Sequence, residues 1–384
     1  MTADSDSNRP SFELVGRDGI ARCGRMTTPH GIIETPAFMC VGTYGAVRGV
    51  SAADLEALGA QVLLANTYHL HERPGEEIVR AQGGLHGFTG WHRPWLTDSG
   101  GFQVTSLAHR VELREEGITF SSPLDGRRRL LTPETAIAIQ EALGSDIAMV
   151  LDECRPPPSV AADAGRPERE AEEAMERTLR WAERSRAARS RPDQAVFGIV
   201  QGGTSEALRR RSARSTVSIG FDGYAHGGLG LGEERRQRVD LLAAMDSELP
   251  GQRPRYLMGL GKPVDLVDGV ACGVDLFDCV IPSRNGRHGV FYTRGGQLRV
   301  RNARFKNDPR PPEPGCDCPA CRRHSRAYLR HLFKVGEALG ARLATLHNLH
   351  FYLRLLAESR LAIAEGRFDA YRAQVTETSE AEVD

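Results

Sequence analysis

Short apolar runs that stop at a polar residue or a glycine recur along this chain, and helix-forming stretches separate them. Val62-Leu63-Leu64-Ala65 leads into Asn66-Thr67-Tyr68-His69, and Trp95-Leu96-Thr97 leads into Asp98-Ser99-Gly100-Gly101. Ile147 to Leu151 runs into Asp152-Glu153, and Val196 to Val200 into Gln201-Gly202-Gly203. Phe221 to Leu231, Arg255 to Gly259 and Leu276 to Asp278 continue the series. Between them, Thr132-Pro133-Glu134 opens a helix with an N-cap, a proline at the first helical position and an early acid, and Gly144 closes it. Further helices are expected over residues 167–189, after a Pro156-Pro157-Pro158 break, from Ser205, from Glu233 and over residues 263–272. Repeated strand–helix units of this length favour a (β/α)8 TIM barrel, in which each strand delivers polar groups to one mouth.

A barrel needs about 250 residues, and the chain has 384. Residues 12–44 read as strands and turns closing one end. The excess falls mainly at the Pro- and Cys-rich stretch from Pro309, followed by helices near residues 325–339 and 346–365. The expected division is a disordered extension over 1–11, a catalytic barrel over 12–308, an inserted zinc-binding subdomain with C-terminal helices over 309–368, and a flexible tail over 369–384.

Formal net charge is zero, so whole-molecule steering of an anion is not expected. Locally the picture differs: residues 283–310 hold seven arginines and one lysine against the single acid Asp308. Of eight cysteines, three are bunched at Cys316, Cys318 and Cys321 and the rest are scattered, a cytosolic usage without a disulfide framework. The polar, acidic N-terminus has no signal-peptide core, and no apolar run approaches a membrane span. A cytoplasmic protein with no membrane contact is expected.

Cys316-x-Cys318-x-x-Cys321 supplies three thiolates, and a structural Zn²⁺ wants four tetrahedral ligands. His324, His331, His347 and His350 are candidates for the fourth; His324 is too close in sequence, and spacing does not choose between His347 and His350. At the strand ends, Asp98, Asp152, Glu153, Asp278 and Gln201 would face one mouth. A carboxylate accepts both donors of a guanine edge, and paired acids also suit glycosidic cleavage. His226-Gly227-Gly228-Leu229-Gly230-Leu231-Gly232 lacks the dinucleotide-binding spacing, so its glycines more simply let backbone approach a flat ligand. His69 and His71 read as loop residues with structural roles, and the helix over residues 167–189 as a solvated face.

The motifs Asp98-Ser99-Gly100-Gly101-Phe102-Gln103, Asp152-Glu153-Cys154, Gly198 to Gly203, Tyr256 to Pro263 and Phe277 to Pro282 together resemble the bacterial queuine tRNA-ribosyltransferases, or tRNA-guanine transglycosylases. Cys316, Cys318, Cys321 and His347-Asn348-Leu349 match as well, and the resemblance covers roughly residues 12 to 368. It implies exchange of the wobble guanine, in tRNAs for Asp, Asn, His and Tyr with G-U-N anticodons, for a 7-deazaguanine base in queuosine synthesis. Asp278 would be the nucleophile toward ribose, and Asp98 the proton acceptor and donor. Asp152, Gln201 and the Gly228 amide would read the base, with Phe102, Cys154 and Leu229 around it. Gly259, Leu260, Gly261, Lys262, Pro263, Val264 and Asp265, with Ser283, Arg284, Asn285, Gly286 and Arg287, would contact RNA. His347 would be the fourth ligand of one structural zinc per subunit of a homodimer. Cys154 resembles the bacterial pocket and favours 7-aminomethyl-7-deazaguanine over queuine. The chain departs from its relatives at His226, Gly230 and Leu231.

The implied chemistry asks Asp278 to be ionised, so its pKa should stay low, while Asp98 gains from a modest rise. An archaeosine-type transglycosylase would carry a further RNA-binding domain, a non-catalytic partner subunit would lack the acids, and a glycoside hydrolase would not explain the cysteine cluster or the arginines.

Overall fold

A computed structural model describes residues 9–107, 109–154, 166–379, 381 and 383. The Pro156-Pro157-Pro158 break and residues 1–8 lie outside the described residues.

Eight parallel strands, Ala37–Val41, Leu63–Ala65, Trp95–Thr97, Ile147–Met149, Ala195–Val200, Gly223–His226, Arg255–Leu257 and Leu276–Cys279, close into a barrel. The last strand pairs in parallel with the first, Leu276 opposite Ala37 through Cys279 opposite Cys40. Local sequence explains the intervening helices. Thr132 caps Pro133–Leu143 by accepting from Thr135 N, and Gly144 ends it at φ 74°. The helices expected from Ser205, Glu233 and Pro263 are Glu206–Ile219, Arg235–Ala244 and Pro263–Ala271. Arg166–Ala188 is not solvated all round: Met175, Trp181 and Ala182 are buried on one face.

Before the barrel, strands Ser11–Asp18, Ala21–Thr28 and Gly31–Thr35 form an antiparallel sheet. Met26 and Ile33 of this sheet share a buried cluster with Met39, Leu64, Leu96, Met149 and Tyr256, so the sheet plugs the N-terminal end of the barrel. Two buried carboxylates pin it there. Asp275, just ahead of the eighth strand, accepts from Arg22 Nε at 3.1 Å, from Arg22 Nη2, and from Arg255 N at 2.6 Å. Asp146, just ahead of the fourth, lies 2.8 Å from His30 Nδ1 and 3.2 Å from His86 Nε2, and accepts from Trp95 N at 2.8 Å. Burial would raise the Asp146 pKa, but these hydrogen bonds outweigh it and hold the carboxyl well below its usual range. The two imidazoles are stacked at 3.4 Å; in-plane lone pairs of stacked rings do not converge on one ion, so this trio is a clamp.

Among the described residues, two insertions decorate the C-terminal face. The first, not foreseen in the sequence, is an antiparallel sheet of His109–Leu113, Ile118–Ser121 and Arg128–Leu131. The second follows the eighth strand. Phe291, Leu298, Val300 and Phe305 already share a core with Cys316, Cys318, Cys321, Leu329 and Leu343, so this subdomain begins near residue 290 and not at 309. Ser325 caps Arg326–Val335, which ends at Gly336 (φ 79°), and one long helix then runs over Ala338–Ala364. The glycine moves the break that was expected between residues 339 and 346. The long helix packs on the first barrel strand and on Pro263–Ala271, serving as the barrel's last helix.

The ends also differ from expectation. Strand order begins at Ser11, inside the expected disordered stretch. Residues 369–379 are not a flexible tail: Phe368–Thr378 is a helix whose Phe368 and Tyr371 are buried, and Arg372 pairs with Asp268 at 2.8 Å. Gln297 N donates to Ala381 O at 2.8 Å, tying the following residues to the hairpin. The i, i+3 aromatic pair was the available signal. Among the described residues no helix is long and apolar enough to cross a membrane.

Replacing Arg22 with Ala removes the guanidinium in direct contact with a fully buried carboxylate. The expected loss is about 3–5 kcal/mol in urea unfolding; an unchanged midpoint would show that the plug does not depend on this pair.

Candidate active site and metal centre

Residues from seven strand ends line one cleft of about 400 Å³, within the usual range for small-ligand sites. Asp98, Asp152, Cys154, Gly228, Leu229, Phe102 and Asp278 all face it. Gln201 stands just behind, where its Nε2 donates to Asp152 Oδ2 at 2.7 Å.

Asp98 follows the third strand and is held by its neighbours. Asn66 caps helix Thr67–Glu72 through Oδ1, accepting from His69 N at 3.1 Å, while its Nδ2 donates to Asp98 Oδ2. Thr67 N and Gly100 N donate to Asp98 Oδ1 at 3.0 and 3.1 Å. Burial nonetheless dominates and, with the charge of Asp278, pushes the Asp98 pKa up to about 7. A carboxyl poised there gains and loses a proton near neutrality.

Asp278 lies in the eighth strand. Its Oδ1 accepts from Tyr256 Oη at 2.6 Å and Gly259 N at 2.7 Å, and Oδ2 has no hydrogen bond among the described residues. Contrary to the expectation of ordinary acidity, burial raises its pKa, with those two donors pulling it back. An approaching cation or developing positive charge is what such a desolvated carboxylate favours.

Asp152 is pushed up to about 6, chiefly by burial and against the Gln201 hydrogen bond. Glu153 does not join it: the side chain turns to Arg177 on the outer helix, and its amide donates to Thr178 Oγ1 at 3.0 Å. Burial and the Asp152 charge raise the Cys154 thiol to about 12, so it meets a ligand as a neutral wall. A Cβ at Gly227 or Gly228 would stand 2.5 or 2.6 Å from the Gln201 amide, so only glycine lets this turn close over it.

The residues marking the chain's departures have physical explanations. His226 is buried beneath the turn, and burial followed by the charges of Arg209, Arg255 and Arg22 lowers its pKa to about 3, leaving a neutral ring. Gly230 has φ 80°, and a Cβ there would lie 2.6 Å from Leu260 Cδ2. Leu231 lines the cleft. Glu233, read in the sequence only as a helix start, accepts from Gly230 N at 2.5 Å and Leu231 N at 3.1 Å.

His69 and His71 sit on a helix, not a loop. His69 lines the cleft, and His71 pairs with Glu76 at 2.7 Å. Tyr256 and Asn66 were missed as well; Asn66 directly follows an apolar run, the same signal that marked the acids. The arginine segment is also helical, over Ile281–Arg287. Arg284 is exposed, Asn285 and Arg287 are half-buried, and Ser283 and Gly286 are buried. Of residues 259–265 only Gly259 and Lys262 are exposed, while Leu260, Gly261, Pro263, Val264 and Asp265 are buried. Asp265 accepts from Arg238 Nη2 at 2.6 Å, so these five can only shape the surface.

The metal donors converge. Cys316, Cys318, Cys321 and His347 place their ligand atoms within 4.8 Å of one another, all buried. His347 Nδ1 stands 3.8, 3.4 and 3.3 Å from the three sulfurs, and Nε2 lies 2.7 Å from Tyr292 O. Donation by Nε2–H to that carbonyl leaves the Nδ1 lone pair for the sulfurs' centre, the arrangement a tetrahedral S₃N site requires. His350 faces Asp317 at 2.8 Å instead, which resolves the choice that spacing left open.

A family model described as queuine tRNA-ribosyltransferase matches residues 18–381. A queuine tRNA-ribosyltransferase of Thioalkalivibrio sulfidiphilus is 53% identical over 363 residues, covering 94% of this chain and 96% of that protein. One from Thermus thermophilus is 55% identical over 357 residues, 93% and 91% of the two chains. Another, from Stenotrophomonas maltophilia, is 53% identical over 368 residues, 95% and 96%. With two acids at one barrel mouth, a base-sized cleft between them and matches spanning nearly its whole length, the chain belongs to the queuine tRNA-ribosyltransferase family of pentosyl-transferring enzymes.

Proposed function

We propose that this protein exchanges the wobble guanine of tRNAs with G-U-N anticodons for 7-aminomethyl-7-deazaguanine, by double displacement. The observation that carries the reading is the pairing of unlike carboxyls in one cleft: Asp278 with a bare Oδ2, and Asp98 poised near neutrality. Asp278 Oδ2 attacks the ribose anomeric carbon as the bond to guanine N9 breaks, and the bonding pair leaves with the base. Asp98 gives the departing base its proton. The incoming base then returns a proton to Asp98, its nitrogen attacks the same carbon, and Asp278 is released as carboxylate. Fixed donors to Asp278 cost no reorganisation as charge develops.

Asp152 accepts the two donors of the base edge, held in place by Gln201, while the Gly228 amide meets the base carbonyl and Phe102 covers a face. Gly259, Lys262, Arg284, Asn285 and Arg287 contact the tRNA, and their cations offset the cost of drawing a base from its stack. Cys316, Cys318, Cys321 and His347 would hold a Zn²⁺ with four protein ligands, which would cross-link the subdomain and supply no chemistry to the cleft. The working form is a cytoplasmic homodimer.

Labelled guanine should enter unfractionated tRNA at the wobble position; entry elsewhere, or none, sinks the reading. Asp278→Asn should abolish both exchange and the protein–RNA adduct that survives denaturing gels. The protonated fraction of Asp98 falls as pH rises through about 7, so the rate of adduct formation should drop tenfold per unit above that point; a flat profile would remove Asp98 as proton donor. Chelation, or His347→Ala, should release one zinc per chain by elemental analysis and lower the melting temperature by more than about 5 °C.

A further inference from the structure

Tyr44 stands on the turn that leaves the first barrel strand, and 53% of it is exposed. Its neighbour Thr43 lines the cleft, whereas Tyr44 does not, so the ring sits outside the cavity on its rim. The turn is tight. Gly45 N donates to Gly42 O at 2.8 Å, Asn66 N donates to Thr43 O at 3.3 Å, and a Cβ at Gly42 would meet the Ala46 backbone at 3.2 Å. On one side the ring rests on His69, with centroids 4.9 Å apart and planes at 82°. His69 is itself a wall of the cleft, and its Nδ1 lies 2.5 Å from Asn66 Oδ1, the amide that also holds Asp98. A large aromatic is thus held against one neighbour and left half open to solvent.

The first and eighth barrel strands are paired neighbours, and arginines follow each of them. Arg48, on the next turn, is exposed. Burial, then the charges of Arg48 and Arg284, lower the Arg287 pKa, which places these three guanidiniums in one neighbourhood. Exposed aromatics beside a cationic track are the elements that bind single-stranded nucleic acid. Phe102 lines the cleft itself, where the exchanged base enters; Tyr44 is outside the reach of that base. Drawing one base from a loop leaves its neighbour with an uncovered face.

We infer that Tyr44 is the stacking platform for the nucleobase next to the exchanged guanine, so the protein replaces the stacking which extrusion removes. This rests on the function proposed above. It adds a contact outside the two segments expected to bind RNA.

The test uses the full-length protein and a tRNA carrying 5-iodouridine beside the exchanged guanine. Irradiation should cross-link Tyr44, identified by peptide mass. Tyr44→Ala should raise KM for tRNA at least about five-fold, leaving kcat, KM for free guanine and the salt slope of tRNA binding at parental values. Tyr44→Phe should restore KM. Arg287→Ala should instead flatten the salt slope, which separates phosphate contact from stacking. An unchanged KM in Tyr44→Ala, a failure of Phe to rescue, or cross-links only to other residues would overturn the inference. So would a lower kcat with a lower melting temperature, the mark of a merely structural ring. If the parent protein incorporates no guanine at all, the proposed function falls first.

Discussion

The parallel pairing of Leu276–Cys279 with Ala37–Val41 closes the ring, and the site exists because of that closure. An open sheet would spread its strand ends along an edge. A closed one turns them inward, so that Asp98 after the third strand and Asp278 on the eighth line one cleft. Bringing acids together in this way is electrostatically unfavourable, and the Asp98 pKa registers it. The barrel tolerates the crowding because Asn66, Thr67 and Gly100 donate to one acid while Tyr256 and Gly259 donate to the other. The opposite rim carries its own carboxylates, Asp146 and Asp275, but each faces a base or guanidinium and serves only to hold the plug.

The strand ends were readable because each apolar run stops at a polar group, and this alternation survives without any tertiary information. Side-chain direction was not readable. Asp152 and Glu153 are adjacent just past the fourth strand, yet one turns into the cleft and the other to Arg177. Similarly, the helix from Pro263 was readable, but not that it buries Val264 and Asp265, which were expected to contact RNA. Tyr256 looked like one more apolar strand residue until its hydroxyl was placed against Asp278.

Subdomain boundaries were legible only where cysteines announced them. The hairpin from Val290 to Arg299 has no cysteine, yet it supplies Phe291 and Leu298 to the same core and Tyr292 O to the ligand histidine. The helix after residue 368 depends on docking against Pro263–Ala271, a contact that no local pattern specifies.

The long helix Ala338–Ala364 joins matters otherwise far apart in the chain. Within two turns His347 points at the cysteines, Asn348 Nδ2 donates to Pro282 O and Val290 O at 2.9 Å, and Tyr352 Oη donates to Gly261 O at 2.6 Å. One rigid rod thereby sets the height of the arginine helix, the hairpin and the glycine segment beside Asp278. The cluster of three cysteines and His347 anchors its N-terminal half, and a slip of the rod along its own axis would misalign all three surfaces at once while every side chain in the cleft stayed intact.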